Sequence, residues 1–118
     1  METETIIYHN PKCGTSRKVL GMLLDAGVKP RIIEYLKTPP TRTELVSLLE
    51  RMGKTPREVM RPKEKPYIDL DLDDPSQTDD SLIDAILAHP ILLQRPIVVT
   101  PKGVRLCRPI EDVVPLLP

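Results

Sequence analysis

Cys13 is the residue whose type and position best suit chemistry. It lies in His9-Asn10-Pro11-Lys12-Cys13-Gly14-Thr15-Ser16-Arg17, where an extended apolar run, Thr5-Ile6-Ile7-Tyr8, gives way to a helical pattern. A sulfur at such a junction sits over backbone N–H groups that lack partners inside the helix, and it feels the positive end of the helix dipole. Both effects favour thiolate, the nucleophilic form of cysteine. The alternative is a small capping residue with no chemistry. His9 could tune the charge of Cys13 or simply be a hydrogen-bonded turn residue. Ser16 could donate a hydrogen bond to the thiolate or be an ordinary residue of the first helical turn. Arg61, Arg95 and Arg108 each precede a proline, at or near the edge of an expected element. Three guanidinium forks meeting near Cys13 would suit a tetrahedral oxyanion, whereas the plain reading of each is a solvated surface arginine.

The spacing around Cys13 also says what the site lacks. Thioredoxin-type redox motifs run Cys-x-x-Cys at a strand-to-helix junction, and here the fourth position is Ser16. A thiolate without a neighbouring resolving thiol can form a covalent adduct, but turnover then needs a thiol from elsewhere. Cys107 falls in a β-rich run and reads as a buried strand cysteine rather than a redox partner. Other chemistries fail on residues. A tyrosine-phosphatase-like loop needs arginine where this chain has Val19. The two cysteines and two histidines, at 9, 13, 89 and 107, lack the paired spacings of a structural zinc site, so no metal is expected. There is no Gly-x-Gly-x-x-Gly and no phosphate-binding Gly-Lys-Ser/Thr loop.

The elements that must position these residues read as follows. Thr5–Tyr8 is a strand, and Val19, Leu20, Leu23 and Leu24 give a helix stopped by Gly27. Arg31–Leu36 is a second strand, followed by a turn at Pro39-Pro40. Thr41-Arg42-Thr43-Glu44 matches a capping box; it opens a helix from about residue 42 to Met52, ended by Gly53. A short helix over Pro56–Met60 precedes a proline-interrupted stretch expected to be mostly loop as far as Thr78. Asp79 and Asp80 mark the start of a third main helix that buries Leu82, Ile83, Ile86 and Leu87 and ends at His89-Pro90. Ile97–Thr100 and Val104–Cys107 form a hairpin across Pro101-Lys102-Gly103, and Ile110–Leu117 closes the chain as a helix on Val113, Val114 and Leu117. The order is βαβ, then helices, then ββα. We therefore expect an α/β, thioredoxin-like fold: a mixed four-stranded sheet with an inserted helical region, in one domain spanning residues 1–118.

Composition narrows the function. Lys plus Arg (17) balance Asp plus Glu (17), so no overall field draws the chain onto nucleic acid or an anionic membrane. With no Trp or Phe and three tyrosines, it has little on which to stack bases. Met1-Glu2-Thr3-Glu4 has none of the features of a signal peptide, and no apolar run approaches the roughly 20 residues of a membrane span. Two cysteines fit a reducing compartment, so a cytoplasmic location is expected.

Three blocks of the chain resemble the glutaredoxin-linked arsenate reductase (ArsC) family. They are Ile7-Tyr8-His9-Asn10-Pro11 with Cys13-Gly14-Thr15-Ser16-Arg17, then His89-Pro90-Ile91-Leu92 leading to Arg95-Pro96-Ile97-Val98-Val99-Thr100, and Arg105-Leu106-Cys107-Arg108-Pro109. The resemblance implies a nucleophile at Cys13, oxyanion-binding arginines at Arg61, Arg95 and Arg108, and support of the thiolate by His9 and Ser16. It also implies a cis peptide at Pro96 and extra helices on a thioredoxin-like fold. The implied reaction reduces arsenate to arsenite through an adduct on Cys13, with glutathione as co-substrate and glutaredoxin as a further thiol donor. Those donors would replace the resolving thiol missing at Ser16. Relatives in the wider family leave two other readings: an Spx-like regulator that binds RNA polymerase, and a thiol oxidoreductase acting on another substrate.

Overall fold

The computed structural model describes residues 4–118. Met1, Glu2 and Thr3, on which the reading of the N-terminus largely rests, lie outside the described residues. The chain divides into two compact units, one made of the residues up to Thr38 together with Arg95–Pro118, the other of Pro39–Gln94.

The first unit holds the sheet. Its strands are β1 (Ile6–His9), β2 (Arg31–Glu34), β3 (Ile97–Thr100) and β4 (Gly103–Leu106), in the spatial order β2-β1-β3-β4. β1 pairs parallel with β2, Ile7 opposite Ile32, and antiparallel with β3, Ile7 opposite Val98. β3 and β4 form the expected hairpin, with Thr100 opposite Gly103. The mixed four-stranded sheet is thus present, and its two inner strands are the apolar ones: all four residues of β3 are buried. Helix α1 (Gly14–Asp25) sits on this sheet because Ser16, Val19 and Leu23 recur on one side of it. Val19 and Leu23 pack with Ile7, Val98, Cys107, Val113 and Leu116. Burying each large apolar side chain contributes about 1.5–3 kcal/mol. Leu24, expected on the same stripe, is instead 54% exposed, because the packed arc is narrower than the apolar one. Gly27, at φ 82°, ends the helix in a Schellman pattern: Val28 N–H bonds the Leu23 carbonyl and Gly27 N–H that of Leu24.

The closing segment corrects one expectation. Ile110–Leu116 is a 3-10 helix, and its buried residues are Val113 and Leu116, while Val114 is 54% exposed. At three residues per turn Val113 and Leu116 share a face, whereas Val114 rotates away. Pro115 inside the segment has no N–H for an α-helical bond.

The second unit is helical. Helix α2 (Arg42–Met52) starts at the reciprocal Thr41/Glu44 capping box and ends at Gly53, φ 68°, as its sequence indicated. A 3-10 turn covers Arg57–Val59. The stretch expected to be mostly loop contains a short helix α3 (Lys65–Asp69), with Pro66 in its first turn, where a missing N–H costs nothing. The segment after it is held from outside: Arg57 donates to the carbonyls of Leu72 (2.8 Å) and Asp74 (3.2 Å). Helix α4 (Asp79–Ala88) buries Leu82, Ile83, Ala85 and Ile86, while Leu87 is only half-buried. α2 and α4 pack together, and Arg42 pairs with both Asp80 and Asp84. Among the described residues no helix is long and apolar enough to cross a membrane.

Candidate active site

The end of β1 and the start of α1 are joined by a short loop that carries Cys13. His9 is the last residue of β1 and Cys13 is the N-cap of α1, in extended conformation (φ −95°, ψ 122°). The sulfur therefore faces the first turn of the helix. Burial pushes the Cys13 thiol up, but the backbone N–H of Ser16 and the Arg95 and Arg108 guanidiniums outweigh it and hold the thiol at about 7, below the ordinary 9.0. Cys13 is only partly covered. A thiol with that value is about half ionised at neutral pH.

Two of the three expected arginines, Arg95 and Arg108, reach the sulfur from the β3–β4 side of the sheet. Arg95 precedes β3 and Arg108 follows β4, each joined to its proline by a cis peptide bond. The cis bond at Pro96 was expected; the one at Pro109 was not. Arg108 Nη1 lies 3.7 Å from Cys13 Sγ and also donates to the Arg95 carbonyl at 3.0 Å. Arg95 Nε and Nη1 are buried and have no hydrogen-bond partner among the described residues. Buried guanidinium donors are costly when empty, and an oxyanion is the ligand that fills two at once.

His9 and Ser16 are both buried and bond one another, His9 Nδ1 to Ser16 Oγ at 2.6 Å. The Ser16 hydroxyl oxygen also accepts the Asn10 N–H at 3.1 Å. The bonds of that hydroxyl thus run to His9 and Asn10, and the part of Ser16 that acts on the sulfur is its backbone N–H. Burial pushes the His9 pKa down; Glu34 opposes this and Arg17 adds to it. Burial thus favours the neutral imidazole over the imidazolium.

Five of the six expected site residues, His9, Cys13, Ser16, Arg95 and Arg108, belong to the first unit. Arg61 belongs to the second. There its Nε donates to Glu64 Oε2 at 3.0 Å and its Nη1 to Gln94 Oε1 at 3.2 Å, and Gln94 Nε2 in turn donates to the Met60 carbonyl at 3.1 Å. Cys107 is buried, and burial first, with Asp112 adding, pushes its thiol up to about 12 against the pull of Arg105. It is inert as a nucleophile. Among the described residues no group of three or more His, Cys, Asp and Glu side chains could hold a metal ion.

The sequence profile of the ArsC family matches residues 8–115, nearly the whole chain. The chain belongs to the ArsC family. Arsenate reductase of Rhizobium meliloti is 53% identical over 112 residues, which cover 95% of this chain and 80% of that protein. Arsenate reductase of Escherichia coli K12 is 56% identical over 112 residues, covering 95% and 79%. Among solved structures, an arsenate reductase from Vibrio cholerae superposes with a TM-score of 0.92 at 42% identity, over 99% of this chain and all of that one (100%). The α/β fold expected for an ArsC member is the one observed.

Sequence reasoning missed the residues that brace this ArsC loop. Asn10 and Arg17 both bond it: Lys12 N–H donates to Asn10 Oδ1 at 3.0 Å and Arg17 Nη1 to the Pro11 carbonyl at 2.9 Å. The signal available for Asn10 was its place in an Asn-Pro turn. None pointed to Glu64 and Gln94, which are polar residues of ordinary type far apart in the chain.

Proposed function

We propose that this protein is an arsenate reductase in which Cys13 is the nucleophile and Arg95 and Arg108 bind the oxyanion. The observation that carries this reading is a thiol held at about 7 beside a guanidinium whose buried Nε and Nη1 have no partner among the described residues. On the family pattern Arg61 is the third oxyanion-binding arginine. His9 and Ser16 support the thiolate, Ser16 through its backbone N–H and His9 by fixing Ser16.

Arsenate docks on the arginines, and the Cys13 thiolate attacks As(V). A bond from sulfur to arsenic forms, one As–O bond breaks, and that oxygen leaves as water after taking up protons. Reduction comes next. Glutathione sulfur attacks arsenic in the adduct and a second As–O bond breaks, that oxygen leaving as water. The glutaredoxin thiolate then attacks the glutathione sulfur, the two become one mixed disulfide, and the As–S electron pair stays on arsenic as As(III). Water finally cleaves the Cys13–As bond, releasing arsenite and the Cys13 thiol. Ser16 in place of a resolving cysteine supports the reliance on outside thiols. A supply of reduced glutathione in turn fits a cytoplasmic location.

The test is arsenite production by purified protein with arsenate, glutathione and glutaredoxin, run beside Cys13→Ser and Arg61→Ala. Activity that is lost in Cys13→Ser and reduced in Arg61→Ala is expected. Arsenite no faster than the Cys13→Ser background overturns the reading, and omitting glutaredoxin tests that donor separately.

A further inference from the structure

The loop from His9 to Cys13 must turn the chain from a buried inner strand into a helix within a few residues, and it must leave the sulfur in one place. Pro11 has no N–H to contribute. The bonds that close the loop come from Asn10, which is only 4% exposed. Its carbonyl accepts the Cys13 N–H at 3.0 Å, closing a turn from residue 10 to residue 13. Its own N–H donates to Ser16 Oγ at 3.1 Å, tying the loop to the first turn of α1. Its side-chain Oδ1 accepts the Lys12 N–H at 3.0 Å. The first two bonds use main-chain atoms, which any residue carries. The third is an Asx-type contact that only a short side chain with a terminal acceptor makes.

We propose that Asn10 is a positioning residue: its side-chain amide locks the Asn10–Cys13 turn, and the locked turn keeps Cys13 Sγ on the first turn of α1 and against Arg108. The inference deepens the reading of Cys13 as the reactive thiolate and does not depend on which oxyanion the site takes. Nothing about the residue suggests contact with substrate. Its effect passes through Cys13 alone.

The physical chain is short. The groups that favour the thiolate act over hydrogen-bond distances: the Ser16 backbone N–H, and the guanidiniums of Arg95 and Arg108. Their effect falls away once the sulfur can swing toward water. Without the Oδ1 contact the Lys12 N–H loses its partner, the turn loosens, and Cys13 moves toward an ordinary thiol. The charged groups acting on Cys13, Arg95 and Arg108, and those acting on its neighbour His9, Glu34 and Arg17, all remain in place in the variants used below.

The test is the pH profile of Cys13 alkylation by iodoacetamide, read on the Cys13 peptide by mass spectrometry, for wild type, Asn10→Ala and Asn10→Ser. Asn10→Ala is expected to move the alkylation midpoint up by about one pH unit, toward that of a free thiol. Asn10→Ser keeps a shorter acceptor and is expected to fall between. Should Asn10→Ala fail to fold, Asn10→Ser carries the test, with its upward movement the expected result. A midpoint unchanged in the folded variants, even with a lower melting temperature, overturns the proposal and leaves Cys13 as nucleophile untouched. An ordinary profile in wild type removes the reactive-thiolate reading itself, and the proposal with it.

Discussion

Arg108→Ala isolates one contribution to the reactivity of Cys13. Arg108 is exposed and its Nη1 sits 3.7 Å from the sulfur, so removing it leaves the apolar core intact. Two unit charges at that separation attract by about 1 kcal/mol in a water-like dielectric, the limit suited to an exposed guanidinium. That corresponds to just under one pH unit in the ionisation of the thiol. Wild-type Cys13 is held at about 7, so it is about half thiolate at pH 7, against roughly 1% for a thiol at the ordinary 9.0. The assay is the iodoacetamide rate at Cys13 across a pH series at low salt, with the midpoint of the rise taken as the apparent pKa. Arg108→Ala is expected to move the midpoint to nearly 8. At about 1 M salt the Debye length shrinks to about 3 Å, so the gap between variant and wild type should narrow. A variant midpoint equal to that of wild type at low salt would refute the electrostatic reasoning, and a gap indifferent to salt would refute the charge as its cause.

Three further outcomes follow from the same geometry. Because the folded thiol sits at about 7 and the ordinary value is 9.0, the unfolded chain binds more protons between them, and thiolate stabilisation grows as pH rises. Denaturant melts of wild type and Cys13→Ser should therefore diverge in favour of wild type from about pH 7 to about pH 9 and run parallel in more acid solution; parallel behaviour throughout would contradict the thiolate. Ser16→Ala strips the buried His9 Nδ1 and Asn10 N–H of their shared partner, and should cost about 1–3 kcal/mol of stability in the same melts. Arsenate at a hundredfold excess over its Kd should stabilise wild type by about 2.7 kcal/mol, raising the melting temperature by several degrees, and should do little for Arg95→Ala, whose empty donors are gone; an equal shift in both proteins would move the oxyanion elsewhere.

Much of this structure was legible where its causes are local. The Thr41/Glu44 box and Gly53 bound α2 through bonds that reach no further than one turn, so reading them needs no knowledge of the rest of the chain. The reactive position of Cys13 is of the same kind, since a strand ending in a proline turn before a helical pattern puts the sulfur at the helix start. Apolar pattern and burial part company where packing decides. Leu24 and Val114 belong to apolar patterns yet face outward, and Leu116 is the buried residue beside which Leu117 packs only partly buried, because the core accepts one arc of each helix and the last helix winds at three residues per turn. Helix α3 was hidden by prolines, one of which in fact occupies its first turn.

Reading neighbouring residues is enough to put Cys13 at the start of α1, with Ser16 where a resolving cysteine would stand. Both are facts of neighbouring residues. It takes the fold to bring Arg95 and Arg108 to that sulfur, to bury Arg95 Nε and Nη1 without a partner among the described residues, and to bond the Ser16 hydroxyl to His9 and Asn10. Arg108 is 95 positions from Cys13 in the chain, and the pairing of β1 with β3 and β3 with β4 is what brings the two together. Contacts of that kind depend on strand register, which the whole core sets through which face of each strand it buries.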